Sequence, residues 1–246
     1  MSIKEKLSIH LRQSSISEQF KLGQICITKL KAEAGVTKNI SIIGIGKGDY
    51  ENYLQKGISY LQYKQQMAAN LALNADQKIK EYINLNQRRM YRVEKTYRIS
   101  NELAKRVKSL KHKAYWLILT EHWCGDAAQI LPVLNALAHL SEGKIEIKLV
   151  YRDENEKLMD AFLTNGSRSI PKLIQLDGYL NVTGIWGPRP IAAQKLVKEL
   201  KANPATEAIY ADELHLWYAK NRQQELEKEI SELLLKANLF YPDNLS

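Results

Sequence analysis

The stretch Glu121-His122-Trp123-Cys124-Gly125-Asp126-Ala127-Ala128-Gln129 places a cysteine between an aromatic residue and a glycine. An apolar run, Tyr115 to Leu119, precedes it, and an apolar helical pattern, Ala127 to Leu140, follows it. A sulfur on a strand-to-helix turn is suited to thiol–disulfide exchange, in which a thiolate attacks a disulfide and forms a mixed disulfide. That chemistry commonly uses a second cysteine three residues further on. Ala127 occupies that position here. Cys124 therefore has the means to capture a disulfide and no neighbour to release it. The one other cysteine, Cys26, stands between Ile25 and Ile27 in an apolar helical pattern and reads as a small buried hydrophobe.

Charged residues cluster in the same part of the pattern. Glu121, Asp126, Arg152, Arg168 and Arg189 all fall near the ends of expected strands. Ligands of open α/β sheets bind beyond the carboxyl ends of the strands. A thiol among arginines suits an anion or a thiol-bearing ligand, with Trp123 and Trp186 as walls. The competing reading pairs Arg152 and Arg168 with Glu121 and Asp153, which would stiffen the loops and nothing more. Asp126-x-x-Gln129 matches a helix capping box. An aspartate there would take up backbone amides and oppose ionisation of Cys124, leaving the thiol near its ordinary value of about 8.5.

These residues need a scaffold. The sequence predicts strands at 115–119, 144–151, 172–176 and 180–185, with Asp177-Gly178 as a turn between the last two. Helices are expected at 127–140, 155–163 and 190–200. The order β-α-β-α-β-β-α implies an α/β fold: a mixed sheet with helices on both faces. Residues 111–202 form this core. Residues 1–110 read as a mainly helical N-terminal extension, including a helix at 17–34 and a possible short strand at 39–45. Ser100 is a candidate helix cap. Residues 203–246 read as a C-terminal helical extension packed on the core. Leu214, Leu216, Trp217, Leu226, Ile230, Leu233 and Leu234 form its apolar stripe.

The Trp-Cys-Gly turn, in this order of elements, resembles the thioredoxin family. Pro132, eight residues after Cys124, stands where that family carries a helix-kinking proline. Ile170-Pro171 resembles its cis-proline loop, which pairs with an extended substrate. More narrowly, the chain resembles a bacterial, single-thiol branch. The residues that carry this likeness are 120–129 (TEHWCGDAAQ), Arg152-Asp153-Glu154-Asn155, Arg168-Ser169-Ile170-Pro171-Lys172, Trp186-Gly187-Pro188-Arg189-Pro190 and Glu213 to Tyr218. The resemblance implies Cys124 as the reactive residue. It implies a binding surface from Glu121, Trp123, Gly125, Asp126, Arg152, Arg168, Ile170, Pro171, Trp186 and Arg189. The family's buried acid, six residues before the cysteine, is Ile118 here. Two parts of the dithiol machinery are thus missing together. What remains implies either a monothiol redox protein that forms mixed disulfides with a small thiol or a protein client, or a non-catalytic binding module using the cis-proline groove.

Composition narrows the classes further. Two cysteines in 246 residues exclude a disulfide framework and fit a reducing cytoplasm. Neither a metal-ligand spacing nor a cofactor motif is present in the pattern, so none is expected. His112, His122 and His139 read as surface or packing residues. No apolar run reaches the roughly 20 residues of a membrane helix, and the first residues carry no apolar core of a secretory signal. The net charge is +9, and residues 78–113 alone carry twelve Lys and Arg against three Glu. That basic stretch reads as a solvated helical face and not as a specific nucleic-acid reader.

Overall fold

The computed structural model describes residues 44–239. Apart from Asn165–Ser167, these belong to one compact unit. The helix expected at 17–34, Cys26 and most of the strand expected at 39–45 lie outside the described residues. Gly44 and Ile45, the end of that stretch, are not strand.

Among the described residues four helices come first: α1 (Lys47–Lys56), α2 (Tyr60–Leu73), α3 (Gln77–Thr96) and α4 (Asn101–Lys108). Their starts are written locally. Ser59 accepts from Gln62 N and Gln62 returns the bond, a reciprocal cap on α2. Asp76 caps α3 and Ser100 caps α4, each through the amide three residues on. Their apolar faces join the core through Tyr63, Met67, Ile83, Met90, Val93, Leu103 and Val107.

The sheet contains β1 (Ala114–Thr120), β2 (Ile145–Tyr151), β3 (Lys172–Asp177) and β4 (Val182–Trp186), in the order β2-β1-β3-β4. Strands β1 and β2 are parallel, while β3 is antiparallel to both β1 and β4. Helices cover both faces, and Ile58 exchanges two backbone bonds with Leu149 of the edge strand β2. That contact covers part of an otherwise open edge.

Helix α5 (Gly125–Leu140) follows β1 and is buried nearly all round, as its composition requires. Helix α6 (Glu156–Ala161) follows β2, and α7 (Ile191–Ala202) follows β4. The single apolar stripe expected from Leu214 to Leu234 is carried by two α-helices, α8 (Tyr210–Asn221) and α9 (Gln224–Leu239). Arg222 and Gln223 between them adopt positive φ, 49° and 70°, which ends α8 and redirects the chain. Gln175, fully buried on β3, accepts from Trp116 Nε1 and donates to Thr183 and to the Leu233 carbonyl of α9. A buried amide satisfied on both sides fixes α9 to the sheet.

Candidate functional site

Cys124 is the N-cap of α5. Its Sγ accepts from Ala127 N at 3.5 Å, and its S–H donates to the Ile170 carbonyl at 3.4 Å. The Ile170–Pro171 peptide is cis. The helix therefore begins two residues earlier than a cap at Asp126 requires, and the expected capping box does not form. Asp126 instead lies in the first turn, 6% exposed, with its carboxylate turned inward. It accepts from Arg189 Nε at 3.0 Å, from Arg189 Nη2, and from Tyr218 Oη at 2.7 Å. Gln129, the other half of the expected box, is bonded to Arg92 and His215.

The thiol is also less available than its sequence context implies. Cys124 is 6% exposed and not on an open turn. Burial pushes its pKa up to about 12, and the Asp126 carboxylate adds to the effect. The amides of Ala127 and Asp126 and the Arg189 guanidinium oppose the shift without cancelling it. The expected near-ordinary value is thus corrected upward: the chain places Asp126 beside a sulfur already stripped of solvent.

The loop after β4 explains how Arg189 arrives. Gly187 has φ 114°, and a Cβ there would collide with the Pro171 carbonyl. The Gly187–Pro188 peptide is cis as well. This loop lies directly against the Pro171 loop and delivers the next residue, Arg189, to Asp126. Burial works against the charge of Arg189, and Asp126 outweighs it and raises its pKa.

The remaining expected residues divide into two groups. Arg152 lies over the Trp123 ring, 4.9 Å from its centroid, and bonds Asp153 at 2.7 Å and the Arg168 carbonyl at 3.4 Å. Glu121 is half-buried and accepts from Asp153 N at 3.0 Å; burial raises its pKa. These residues border the turn. The Arg168 side chain does not join them: it pairs with Asp160 at 2.7 Å and Glu156 at 3.2 Å on α6. Trp186 is buried, its indole N–H given to Glu229 of α9 at 2.6 Å, so it packs an element and does not wall an open site. His122 is a packing residue, as its pattern implies, but a polar one. It contacts Tyr151 Oη at 2.9 Å and Asn70 at 3.1 Å, and burial lowers its pKa to about 4.

Four residues stand at the site without having been singled out as site residues: Arg89 and Arg92 of α3, and His215 and Tyr218 of α8. A Cβ on Gly125 would lie 2.9 Å from the His215 ring and 3.1 Å from Arg89 Nη1. Glycine at 125 is what lets both side chains close over the start of α5. The sequence signals for them are the basic stretch 78–113, which holds Arg89 and Arg92, and the segment 213–218, which holds His215 and Tyr218. Among the described residues, no group of three or more His, Cys, Asp or Glu is placed to hold a metal ion, and no helix is long and apolar enough to cross a membrane.

A family profile described as thioredoxin matches residues 72–201, more than half of the chain. The chain belongs to the thioredoxin family. Thioredoxin 1 of Nostoc sp. (strain PCC 7120) is 35% identical over 80 residues, which are 32% of this chain and 72% of the Nostoc protein. Among solved structures, a Pseudomonas aeruginosa protein of unknown function shares the fold with a TM-score of 0.52 at 18% identity, covering 76% of this chain and 98% of that one. The thioredoxin match includes the basic helix α3 and ends at α7, so α8, which supplies His215 and Tyr218, lies beyond it.

Proposed function

We propose that this thioredoxin-family protein is a monothiol redox protein: Cys124 forms a mixed disulfide with a low-molecular-weight thiol or a protein client and does not release it unaided. The observation that carries this reading is the partner facing Cys124 Sγ at 3.5 Å, which is the Ala127 amide and not a second sulfur. The Cys124 proton passes to solvent and the thiolate attacks one sulfur of a disulfide R–S–S–R′. The Cys124–S–S–R bond forms, the S–S bond of the client breaks, and R′–S⁻ leaves. Release requires an external thiol to attack the mixed disulfide, as a reducing cytoplasm supplies. An extended client lies along Ile170-Pro171, where the Ile170 carbonyl already meets the sulfur. The basic stretch 78–113 acts in this reading as a helical surface, without sequence-selective nucleic-acid binding or a membrane role.

The test is intact-mass analysis of the reduced protein after incubation with glutathione disulfide. The expected result is one glutathione adduct on Cys124, absent from Cys124→Ser, unaffected by Cys26→Ser, and persistent until dithiothreitol is added. Ala127→Cys should shed the adduct by closing an internal disulfide and should gain part of a thioredoxin's insulin-reducing turnover with a reductase. Sustained turnover by the unaltered protein would overturn the single-thiol reading.

A second reading, a non-catalytic binding module built on the same groove, draws on the thiol itself. A pKa of about 12 leaves about one molecule in 10⁵ as thiolate at neutral pH. Failure of any adduct to form between pH 7 and 9, as about two decades of pH are crossed, would favour this reading.

A further inference from the structure

Arg88 and Arg89 stand four and three residues before Arg92 on α3, spacings that set each of them beside it on the helix surface. With Gln129 of α5 and His215 of α8 they line an open pocket of about 250 Å³. Its polarity follows from its hydrogen bonds. Arg92 Nη2 donates to Gln129 Oε1 at 3.0 Å. The Gln129 amide nitrogen is then the atom 3.3 Å from His215 Nδ1. A side-chain amide nitrogen only donates, so Nδ1 accepts and the imidazole proton resides on Nε2. His215 is held as a neutral N–H donor: burial, reinforced by Arg89, Arg92 and Arg189, lowers its pKa to about 4.

The acceptors of this region are already used. Gln129 Oε1 serves Arg92, and the Asn86 oxygen takes one N–H of Arg89 at 2.9 Å. Asp126 gives its oxygens to Arg189 and Tyr218. Asp212 of α8 acts on Arg89 only through its field. Among the described residues no carboxylate pairs with Arg88, Arg89 or Arg92. Arg89 is nevertheless half-buried, which costs solvation that an anion would repay.

We propose that this pocket binds the phosphate-type oxyanion of a small molecule. Three arginines, Gln129 and His215 line it, and the side-chain acceptors among them are already taken. Guanidinium forks match the oxygen pairs of phosphate, and three positive charges suit a dianion better than a single carboxylate. The pocket touches the site turn through Gly125, where His215 and Arg89 approach. Its assignment does not depend on whether Cys124 exchanges disulfides.

The experiment is a titration of ¹⁵N-labelled protein with inorganic phosphate at neutral pH, with chloride holding the ionic strength constant. Saturable shifts should appear at the Gly125 amide and at the His215 ring nitrogens. Arg88→Gln and Arg89→Gln should each weaken binding by about ten-fold or more. Lys105→Gln, on the basic helix α4, should leave it unchanged. Arg88 is exposed, so its variant keeps the fold and its result stands even if Arg89→Gln is unstable. Shifts that chloride alone reproduces would overturn the proposal, as would unchanged binding by Arg88→Gln. Equal or tighter binding of succinate would overturn the phosphate assignment.

Discussion

Burial is the first reason that the Cys124 thiol stays protonated, and the Asp126 carboxylate is the second. The two can be separated. Asp126→Asn keeps an oxygen for the Tyr218 hydroxyl and removes the negative charge, leaving Arg189 to act on the sulfur alone. The thiol pKa should then fall by about one unit or more, and alkylation by iodoacetamide at pH 8 should rise by about ten-fold. An unchanged rate in a variant that retains its native circular dichroism would assign the whole shift to burial. This network also marks a boundary of what local sequence conveys. The thiol, the missing second sulfur and the cis-proline neighbour could all be read from short segments. The fate of Asp126 could not, because its partners lie 63 and 92 residues away. A capping box is a local pattern, and it lost here to a buried ion pair that only tertiary structure reveals.

The elements were the most legible part. The continuous apolar run of β1 and the alternation of β2 each state their structure within a few residues. The turn expected at Asp177-Gly178 is displaced: Asp177 ends β3 and the connection runs from Gly178 to Asn181, with its positive φ at Leu180. The break between α8 and α9 was hidden, since its left-handed residues are Arg222 and Gln223 and not the glycine that such positions favour. The arrangement of loops was equally hidden. Gly187 is the point on which it rests, because it meets the Pro171 loop and positions Arg189 in one step. Gly187→Ala combines an unfavourable φ with a collision against the Pro171 carbonyl, and should cost at least about 2 kcal/mol. Gly143→Ala supplies the comparison: its φ is 90°, but nothing lies within 4 Å of the added Cβ. It should cost about 1 kcal/mol. Equal losses in urea unfolding would show that backbone conformation alone, and not the packing of the two loops, accounts for Gly187.

Across the whole molecule, polar side chains held in uncharged form tie stability to pH on both sides of neutrality. Of the two histidines near the Cys124 turn, His122 is bonded to Tyr151 and Asn70 and His215 to Gln129, and burial holds both near a pKa of about 4. As the pH falls below about 6.5, the unfolded chain takes up protons that the folded chain refuses, so stability falls down to about pH 4. Glu121 and Glu229 work in the opposite direction, since burial raises their pKa and the folded chain gains their protons first. The histidine contribution is isolated by comparison with His122→Gln, which keeps a polar side chain and cannot titrate. On the alkaline side Cys124, Tyr63 and Tyr218 retain protons that the unfolded chain releases, so stability declines as pH rises past about 9. Lys172 works against that alkaline decline, since burial lowers its pKa to about 8 and the folded chain gives up its proton first. His122→Gln, whatever its offset at pH 7, should show a shallower decline of melting temperature from pH 6.5 to 5 than the unaltered protein. Parallel acid limbs for the two proteins would mean that His122 takes up its proton in the folded state, and that the packing of Tyr63 and Tyr151 around it does not hold it neutral.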